Sequence, residues 1–265
     1  MRAKELMRVV AGLLAGGLAG TAVAAEPVQP IRALLITGGE FHDFTAQKKI
    51  LTEGISARAN VVWTVVQEGT TREHRLSRYE RADWAGGFDV VVHNECFGLV
   101  DDRAFVERVA APHQHGVPAV ILHASVISYR NAPTDAWREV IGQRSMGHED
   151  RRDLVVQRMP GDHPVMKGFP ATWPDAQDEL YKIEKTWPGV VPLAKAWGEE
   201  TRREHVVVWL NTIGGTRVFV TTLGHTNATM QSSVYLDLVA RGLLWACGRL
   251  GDDGRPLPGY EPRQR

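Results

Sequence analysis

Histidines and a few carboxylates at the ends of predicted strands are the groups in this chain that could perform chemistry. They are His42, Glu95, His123, His148 and His225, and each follows a different predicted segment. An imidazole that is neutral near pH 7 can serve as a general base or bind a metal ion. One such histidine alone would usually be structural, but several at corresponding strand ends predict a shared site.

Two chemical roles for these histidines are open. In the first, His123 and His225 act as catalytic acid and base, and a carboxylate such as Glu95 orients one of the rings. In the second, His123, His148 and His225 bind a divalent metal ion, and the three protein ligands leave one position for water. No pair of histidines spaced i, i+4 on one helix supports the second role, so it depends on convergence of distant segments.

The elements that would position these residues alternate between strands and helices in the first half of the chain. Apolar runs predict the strands, and polar segments with capping residues predict the helices. The predicted strands are 31–37, 61–66, 88–93 and 118–123, and the predicted helices are 45–58 and 101–115. This alternation predicts an α/β fold with a mainly parallel central sheet and helices on both faces. His123 ends the fourth strand, and ligands of such sheets bind outside the carboxyl ends of the strands.

The second half of the chain predicts strands without long helices between them. The strand candidates are 153–157, 191–197, 205–210 and 217–222, with a hairpin at Gly214-Gly215, and helices are expected over 135–141 and 232–247. The last three strands have the turns of antiparallel neighbours. We expect one domain over residues 25–250 and a flexible tail, rich in Gly and Pro, over residues 251–265.

The first 24 residues have the parts of a secretory signal peptide. Arg2, Lys4 and Arg8 precede the apolar stretch 9–23, and Ala22-Val-Ala24 is a small-residue cleavage pattern. The apolar stretch has about 15 residues, whereas roughly 20 are needed to span a bilayer. We therefore expect cleavage, no membrane span in the mature chain, and a periplasmic or secreted protein.

Composition and cysteine usage argue against several other classes of protein. The chain is 43% hydrophobic and 23% charged with a formal net charge of zero, and no stretch concentrates basic residues, so nucleic acid is not an expected partner. Its two cysteines, Cys96 and Cys247, lack metal-binding spacing, and we expect free thiols rather than a disulfide. The sequence contains no dinucleotide fingerprint, P-loop, HExxH or GxSxG motif. It gives no indication of the oligomeric state.

Six short motifs give the chain a resemblance to a known family. They are Leu35-Ile-Thr-Gly-Gly with His42, Val120-Ile-Leu-His-Ala124, Ile141-Gly142 with His148, His163-Pro-Val-Met-Lys-Gly-Phe169, Asp178-Glu-Leu-Tyr181, and Arg217-Val-Phe-Val-Thr-Thr-Leu-Gly-His225. In order and spacing, over roughly residues 31–250, they resemble the ThuA-like (trehalose-utilisation) family. One departure is Gly142-Gln143-Arg144-Ser145, where the family usually has Gly-Gly and an aromatic residue before the histidine.

The resemblance implies both a fold and a field of chemistry. The fold is the class I glutamine amidotransferase-like one, a flavodoxin-like three-layer αβα sandwich. The implied function is an enzyme of carbohydrate metabolism that acts on a sugar derivative such as a 3-keto sugar or glycoside. True amidotransferases carry a nucleophilic cysteine at the elbow where this chain has His123, so we expect no glutaminase activity. The alternative is a non-catalytic sugar-binding or accessory protein on the same scaffold.

Four further residues are candidates for contacts with the carbohydrate. His42 follows the first predicted strand, and Glu179 lies in a predicted loop where packing gives no reason for a carboxylate. Trp173 and Trp187 flank that loop and could stack on a sugar ring.

Overall fold

One nine-stranded sheet forms the centre of the computed structural model, which describes residues 28–263. In chain order the strands are β1 (Ile31–Gly39), β2 (Val61–Gln67), β3 (Val90–Cys96), β4 (Ala119–Leu122), β5 (Gln143–His148), β6 (Arg152–Arg158), β7 (Thr172–Asp178), β8 (Tyr181–Thr186), β9 (Val191–Gly198), β10 (Arg203–Ile213) and β11 (Thr216–Thr221). The helices are α1 (Phe44–Ser56), α2 (Arg103–Gln114), α3 (Ala136–Ile141), α4 (Asn227–Gln231) and α5 (Ser233–Ala246). The sheet order is β2-β1-β3-β4-β11-β10-β9-β6-β7, and β5 and β8 pair separately.

Strands β2, β1, β3, β4 and β11 run parallel and carry helices on both faces. Successive residues of a strand point to opposite faces, so each strand contributes to two cores. On β1, Leu35 packs in the core that contains Leu51 of α1, whereas Ile36 packs in the core that contains Phe105 of α2. The predicted three-layer α/β sandwich is confirmed.

Strands β11, β10, β9, β6 and β7 continue the sheet in antiparallel fashion. The predicted hairpin is confirmed, because Gly214 and Gly215 join β10 to β11 with positive φ angles. Strands β5, β7 and β8 were not predicted, since they lack apolar runs. The segment 178–181, predicted as a loop, includes the last residue of β7 and the first of β8.

A bulge interrupts β7 immediately before the end of the strand. Arg152 of β6 pairs with Asp178 and Leu154 pairs with Asp175, so β7 has one residue more than its partner in this interval. The extra residue allows Gln177 to adopt a φ of 56°, and the Asp153 carboxylate accepts hydrogen bonds from its backbone N–H and its side-chain amide, both at 3.0 Å. Asp175 and Asp178 are consequently both buried, although a regular strand would point them to opposite faces.

The segment predicted as a flexible tail lies against the domain as far as it is described. The backbone N–H of Asn60 donates to the Tyr260 carbonyl at 2.8 Å, and its side-chain amide donates to the Gly259 carbonyl at 3.0 Å. Tyr260 also packs against one of the two cores. The tail therefore closes the amino end of β2.

The remaining predictions about chain ends and cysteines have separate outcomes. The predicted signal peptide, residues 1–24, lies outside the described residues. Among the described residues, no helix is long and apolar enough to cross a membrane. Cys96 and Cys247 are free thiols, and they lie at opposite ends of β3, where Cys247 Sγ is 3.9 Å from the Asp89 carbonyl.

Candidate functional site

Three histidines converge beyond the carboxyl ends of the parallel strands. His42 follows β1, His123 follows β4 and His225 follows β11. The centroid of the His42 ring is 4.9 Å from those of His123 and His225, and the latter two are 5.3 Å apart. Strand ends that are far apart in sequence thus deliver three imidazoles to one point.

Unusual backbone conformations allow this approach. Gly39 has a φ of 107°, and a Cβ atom there would lie 2.3 Å from the Cys96 carbonyl oxygen, so only glycine fits where β1 passes β3. Phe41 and His123 are non-glycine residues with φ of 76° and 44°. Such conformations cost about 1–3 kcal/mol each and persist where surrounding contacts hold them. His123 is held in this way, because its Nδ1 donates to the Thr222 carbonyl at 2.7 Å.

Glu179 joins the histidines into a single cluster. Its Oε1 is 3.2 Å from Nδ1 of His225, and its Oε2 is 3.4 Å from Nε2 of His123 and 3.6 Å from Nε2 of His148. The preceding residue, Asp178, is fully buried and accepts from the backbone N–H of Glu179 at 2.7 Å. The carboxylate that contacts the imidazoles is therefore Glu179, placed by the end of β7.

Burial and mutual contact shift the ionisation of the cluster. Burial, followed by the neighbouring His123 and His225, lowers the pKa of His42 to about 3. Burial also acts to lower the pKa of His123, but Glu179 and Asp178 outweigh it and the net pKa is raised. Burial acts to raise the pKa of Glu179, yet its contacts with His123 and His225 hold that pKa well below its usual range. Glu179 is therefore a charged carboxylate surrounded by imidazoles.

The donor set of the cluster fits a metal ion. His42, His123 and His225 can each offer a ligand atom, and these atoms lie within 4.8 Å of one another. Nδ1 of His42 is buried and has no hydrogen-bond partner. Nε2 of His123 and Nδ1 of His225 are also buried, and each faces the Glu179 carboxylate, at 3.4 Å and 3.2 Å. Two zinc–nitrogen bonds of about 2.1 Å span at most about 4.2 Å, so an ion would draw the widest pair slightly closer.

His148 lies beside this cluster rather than within it. Its ring stacks on Tyr181 at 5.5 Å with an interplanar angle of 29°, and the side chain is about one-third exposed. The three-histidine set brought together by the structure thus contains His42, which the sequence suggested as a substrate contact, in place of His148. His148 forms part of the cavity wall.

Glu95 lies in a different environment, although it follows β3 as predicted. Its buried carboxylate accepts hydrogen bonds from Tyr79 at 3.0 Å and Tyr129 at 2.9 Å, and it lies 3.3 Å from Nδ1 of His93. His93 in turn contacts the buried His113. These contacts place Glu95 in a buried polar network beneath the elbow, whereas the carboxylate beside His123 and His225 is that of Glu179.

The two tryptophans suggested as sugar platforms do not line the cavity. Trp173 is 8% exposed and packs in the core against Phe169. Trp187 follows β8, and the Lys185 ammonium lies 4.0 Å from the centroid of its ring.

A cavity of about 470 Å³ opens above the histidines. Its lining includes residues that sequence reasoning did not select, namely Phe41, Arg72, Cys96, Arg130, Arg151 and Tyr181. Tyr181 belonged to a recognised motif, and its buried hydroxyl has no hydrogen-bond partner. The arginines carried no motif signal, because each lies in an irregular segment.

A larger cavity, of about 840 Å³, lies at the opposite end of the strands, next to Ile31 and Pro118. Its charged residues include Arg32 and Asp89, which pair with each other at 2.9 Å. We favour the smaller cavity as the functional site, because it contains the histidine cluster and Glu179, whereas the charged side chains named in the larger cavity neutralise each other.

Several solved structures share the fold of this chain. A protein described as ThuA-like from Parabacteroides merdae is 21% identical, with a TM-score of 0.67, over 89% of this chain and 98% of its own. A second from Bacteroides uniformis is 13% identical, with a TM-score of 0.62, over 88% and 98%. A protein from Thermoplasma acidophilum, described as a candidate GMP synthase component, is 11% identical, with a TM-score of 0.51, over 83% and 96%. At these identities the similarity establishes the fold alone.

Sequence comparison identifies the family. No curated protein matches the chain. The model of the ThuA family, described as trehalose utilisation, matches residues 32–246, which include every histidine of the cluster and Glu179. The chain therefore belongs to the ThuA family.

Proposed function

We propose that this protein is an enzyme of carbohydrate metabolism that converts a sugar derivative, such as a 3-keto sugar or glycoside, at the cluster of His42, His123, His225 and Glu179. The family description, trehalose utilisation, supports a carbohydrate-related role. The observation that supports the proposal is the convergence of three buried imidazoles around one carboxylate, beneath a cavity.

In the favoured scheme His42, His123 and His225 hold a divalent metal ion, with Glu179 as the adjacent carboxylate. Three histidines with one open position are a known ligand set of catalytic zinc. When bound, the ion would supply a Lewis acid that polarises a carbonyl oxygen and acidifies a water molecule. The Thr222 carbonyl fixes the His123 tautomer that leaves Nε2 free for this role.

In this scheme His148, a residue of the cavity wall, would transfer the proton. His148 is partly exposed, lies 3.6 Å from Glu179 and stacks on Tyr181, so it is placed to accept or donate a proton above the cluster. A proton on a carbon next to a ketone is the one such a base would remove. Its removal would allow isomerisation, elimination or hydrolysis of a keto sugar.

A second scheme uses His123 and His225 directly as acid and base without a metal ion. The contact of both rings with Glu179 favours it, because a carboxylate beside an imidazole orients the ring and stabilises the imidazolium.

Neither scheme uses a thiol. Cys96 lines the cavity, but burial raises its pKa to about 11, and the elbow position is occupied by His123, so the proposal excludes cysteine-based glutamine hydrolysis.

Metal analysis combined with turnover of a 3-keto glycoside tests these statements. Wild type and His148→Ala should contain stoichiometric metal, and His42→Ala should lose it. His148 serves as the matched control because it lies in the same cavity outside the proposed ligand set. Full activity in chelator, without stoichiometric metal, would eliminate the first scheme and leave the second.

The enzyme proposal itself has a separate refutation. A 3-keto glycoside that binds wild-type protein but is never converted, with or without added divalent metal, would leave the non-catalytic sugar-binding alternative.

We also propose a periplasmic or secreted location from the signal pattern of residues 1–24. Amino-terminal sequencing of protein purified from cells should then begin near Ala25, whereas an intact Met1 would contradict cleavage.

A further inference from the structure

Three arginines line the cavity above the histidines. They are Arg72, Arg130 and Arg151, whereas Glu179 is the one acidic residue in the same lining. The whole chain has a formal net charge of zero, so positive charge is concentrated at this cavity. A cavity lined by one sign of charge attracts ligands of the opposite sign.

Two of these arginines have no carboxylate to neutralise them. Within residues 28–263, neither Arg130 nor Arg151 has an acidic side chain at ion-pair distance, and Arg151 donates only to Nε2 of His225, at 3.3 Å. Arg72 differs, because it pairs with Glu40 at 3.1 Å and lies over the Phe41 ring at 5.3 Å. Arg130 and Arg151 are therefore the guanidinium groups of the cavity without an acidic partner among the described residues.

The backbone that carries Arg130 is fixed although its side chain is unpaired. Its carbonyl accepts from the guanidinium of Arg138 at 2.5 Å, and the N–H of the preceding Tyr129 donates to the Phe97 carbonyl at 3.1 Å. The guanidinium lies close to Gly98, since a Cβ atom added at that glycine would be 3.5 Å from Cζ of Arg130.

Arg151 is carried by an equally well-anchored turn. The neighbouring Glu149 carboxylate is buried and accepts from the backbone N–H groups of Glu199 and Glu200, both at 3.0 Å, and from the side chain of Arg152, also at 3.0 Å. Because the backbone that carries both arginines is fixed before a ligand arrives, ligand binding would need to order only their side chains.

We propose that the sugar derivative bound in this cavity carries an anionic group, a carboxylate or a phosphate, that Arg130 and Arg151 hold. The inference rests on the proposed function and narrows its substrate class to sugar acids and sugar phosphates. The planar guanidinium donates parallel hydrogen bonds to both kinds of group, which a neutral sugar hydroxyl cannot match. Arg72, already paired with Glu40, adds to the positive field without being a required contact.

Equilibrium binding of three probes to the full mature chain tests this inference. The probes are D-glucuronate, glucose 6-phosphate and D-glucose, measured by calorimetry at low and high salt. At least one anionic probe should bind about tenfold more tightly than glucose, and the two anionic probes together distinguish carboxylate from phosphate. Arg130→Gln and Arg151→Gln should each remove most of that preference, measured as the ratio of anionic-probe affinity to glucose affinity in the same variant.

The control and the contrary results are equally specific. Arg158 is half-buried, as Arg130 is, but lies outside the cavity, where it donates to the Gly161 carbonyl, so Arg158→Gln should keep the anion preference. Equal affinity for all three probes, or a preference that survives both cavity substitutions, would overturn the inference.

Turnover separates this inference from the proposed function. Conversion of a neutral 3-keto glycoside as efficiently as its uronate or phosphate analogue would overturn the anionic substrate class and leave the proposed function standing. Arginine-dependent binding of an anionic sugar, without conversion of any 3-keto derivative, would support the anionic ligand class and overturn the proposed enzyme function.

Discussion

Replacement of Asp178 by asparagine should disrupt the cluster from beneath. Oδ2 of Asp178 accepts from the backbone N–H of Gly224 at 2.7 Å, and Oδ1 accepts from that of Glu179 at 2.7 Å. The N–H of His225 lies 3.3 Å from both oxygens. The buried Asp178 carboxylate thus holds the backbone of Gly224, His225 and Glu179.

The magnitude follows from this geometry. An asparagine has one acceptor oxygen, so in either orientation its NH₂ group faces at least one backbone N–H donor. The variant loses one short hydrogen bond to a charged acceptor, and its side-chain NH₂ group faces a backbone N–H. Together these changes should lower the free energy of unfolding by about 2–4 kcal/mol. Because Glu179 and His225 lose their common anchor, metal affinity should fall as well.

Asp175→Asn is the matched control three residues earlier in the same strand. Oδ1 of Asp175 accepts from the Thr229 hydroxyl at 2.6 Å, and Oδ2 has no hydrogen-bond partner. An amide nitrogen at that second position would gain Asp178 as an acceptor, so this change should cost little. Urea unfolding of both variants, followed by metal titration, measures the difference. Equal destabilisation by the two substitutions, or a change of less than about 1 kcal/mol for Asp178→Asn, would refute the reasoning.

Three further predictions concern buried titratable groups. Burial, followed by the charge of the neighbouring carboxylate, raises the pKa of Asp175 to about 8, so the folded state binds its proton more tightly than the unfolded chain. The stability that this group contributes should fall as pH rises from about 4 to about 8. Asp175→Asn should then be more stable than wild type at pH 9 by urea unfolding, and parallel pH profiles would contradict this. Glu95→Ala should lower the free energy of unfolding by at least about 2 kcal/mol, because it removes the acceptor of the buried Tyr79 and Tyr129 hydroxyls. Its metal content should equal that of wild type. Unchanged stability with lost turnover would instead support a catalytic role for Glu95. Alkylation of Cys96 by iodoacetamide should be slow at pH 7 and accelerate about tenfold per pH unit, because burial raises its pKa to about 11, whereas fast alkylation at pH 7 would show a thiolate.

The parallel half of the fold and the meeting of the strand ends could be predicted from the sequence. Apolar runs such as 118–122 identify buried strands, and parallel strands bring their carboxyl ends to one edge. His123 and His225 were therefore expected at one edge of the sheet, whereas the direct pairing of β11 with β4, which brings their rings to 5.3 Å, could not be predicted. Their distance from His42 could not be predicted, because it depends on the left-handed turn at Phe41.

Other parts of the site carry no periodic signal. Strand β7 reads Thr-Trp-Pro-Asp-Ala-Gln-Asp, and its inward positions include two aspartates, so hydrophobic alternation does not reveal it. Glu95 was chosen because it follows a strand, yet the direction of its side chain depends on Tyr79 and Tyr129, which are distant in sequence. Arg130 and Arg151 become visible as a pair only when the folded chain places them on one cavity.

The bulge at Gln177 means that the spacing of two aspartates in the sequence does not reveal which side of the sheet they face. On a regular strand, residues three positions apart face opposite sides, so Asp178 would face away from Gly224 and His225 whenever Asp175 faced inward. The extra residue of β7 removes this conflict. A related chain without the bulge could keep both aspartates inward only if they were two positions apart. Two chains could therefore share this support for the cluster although their aspartates differ in spacing.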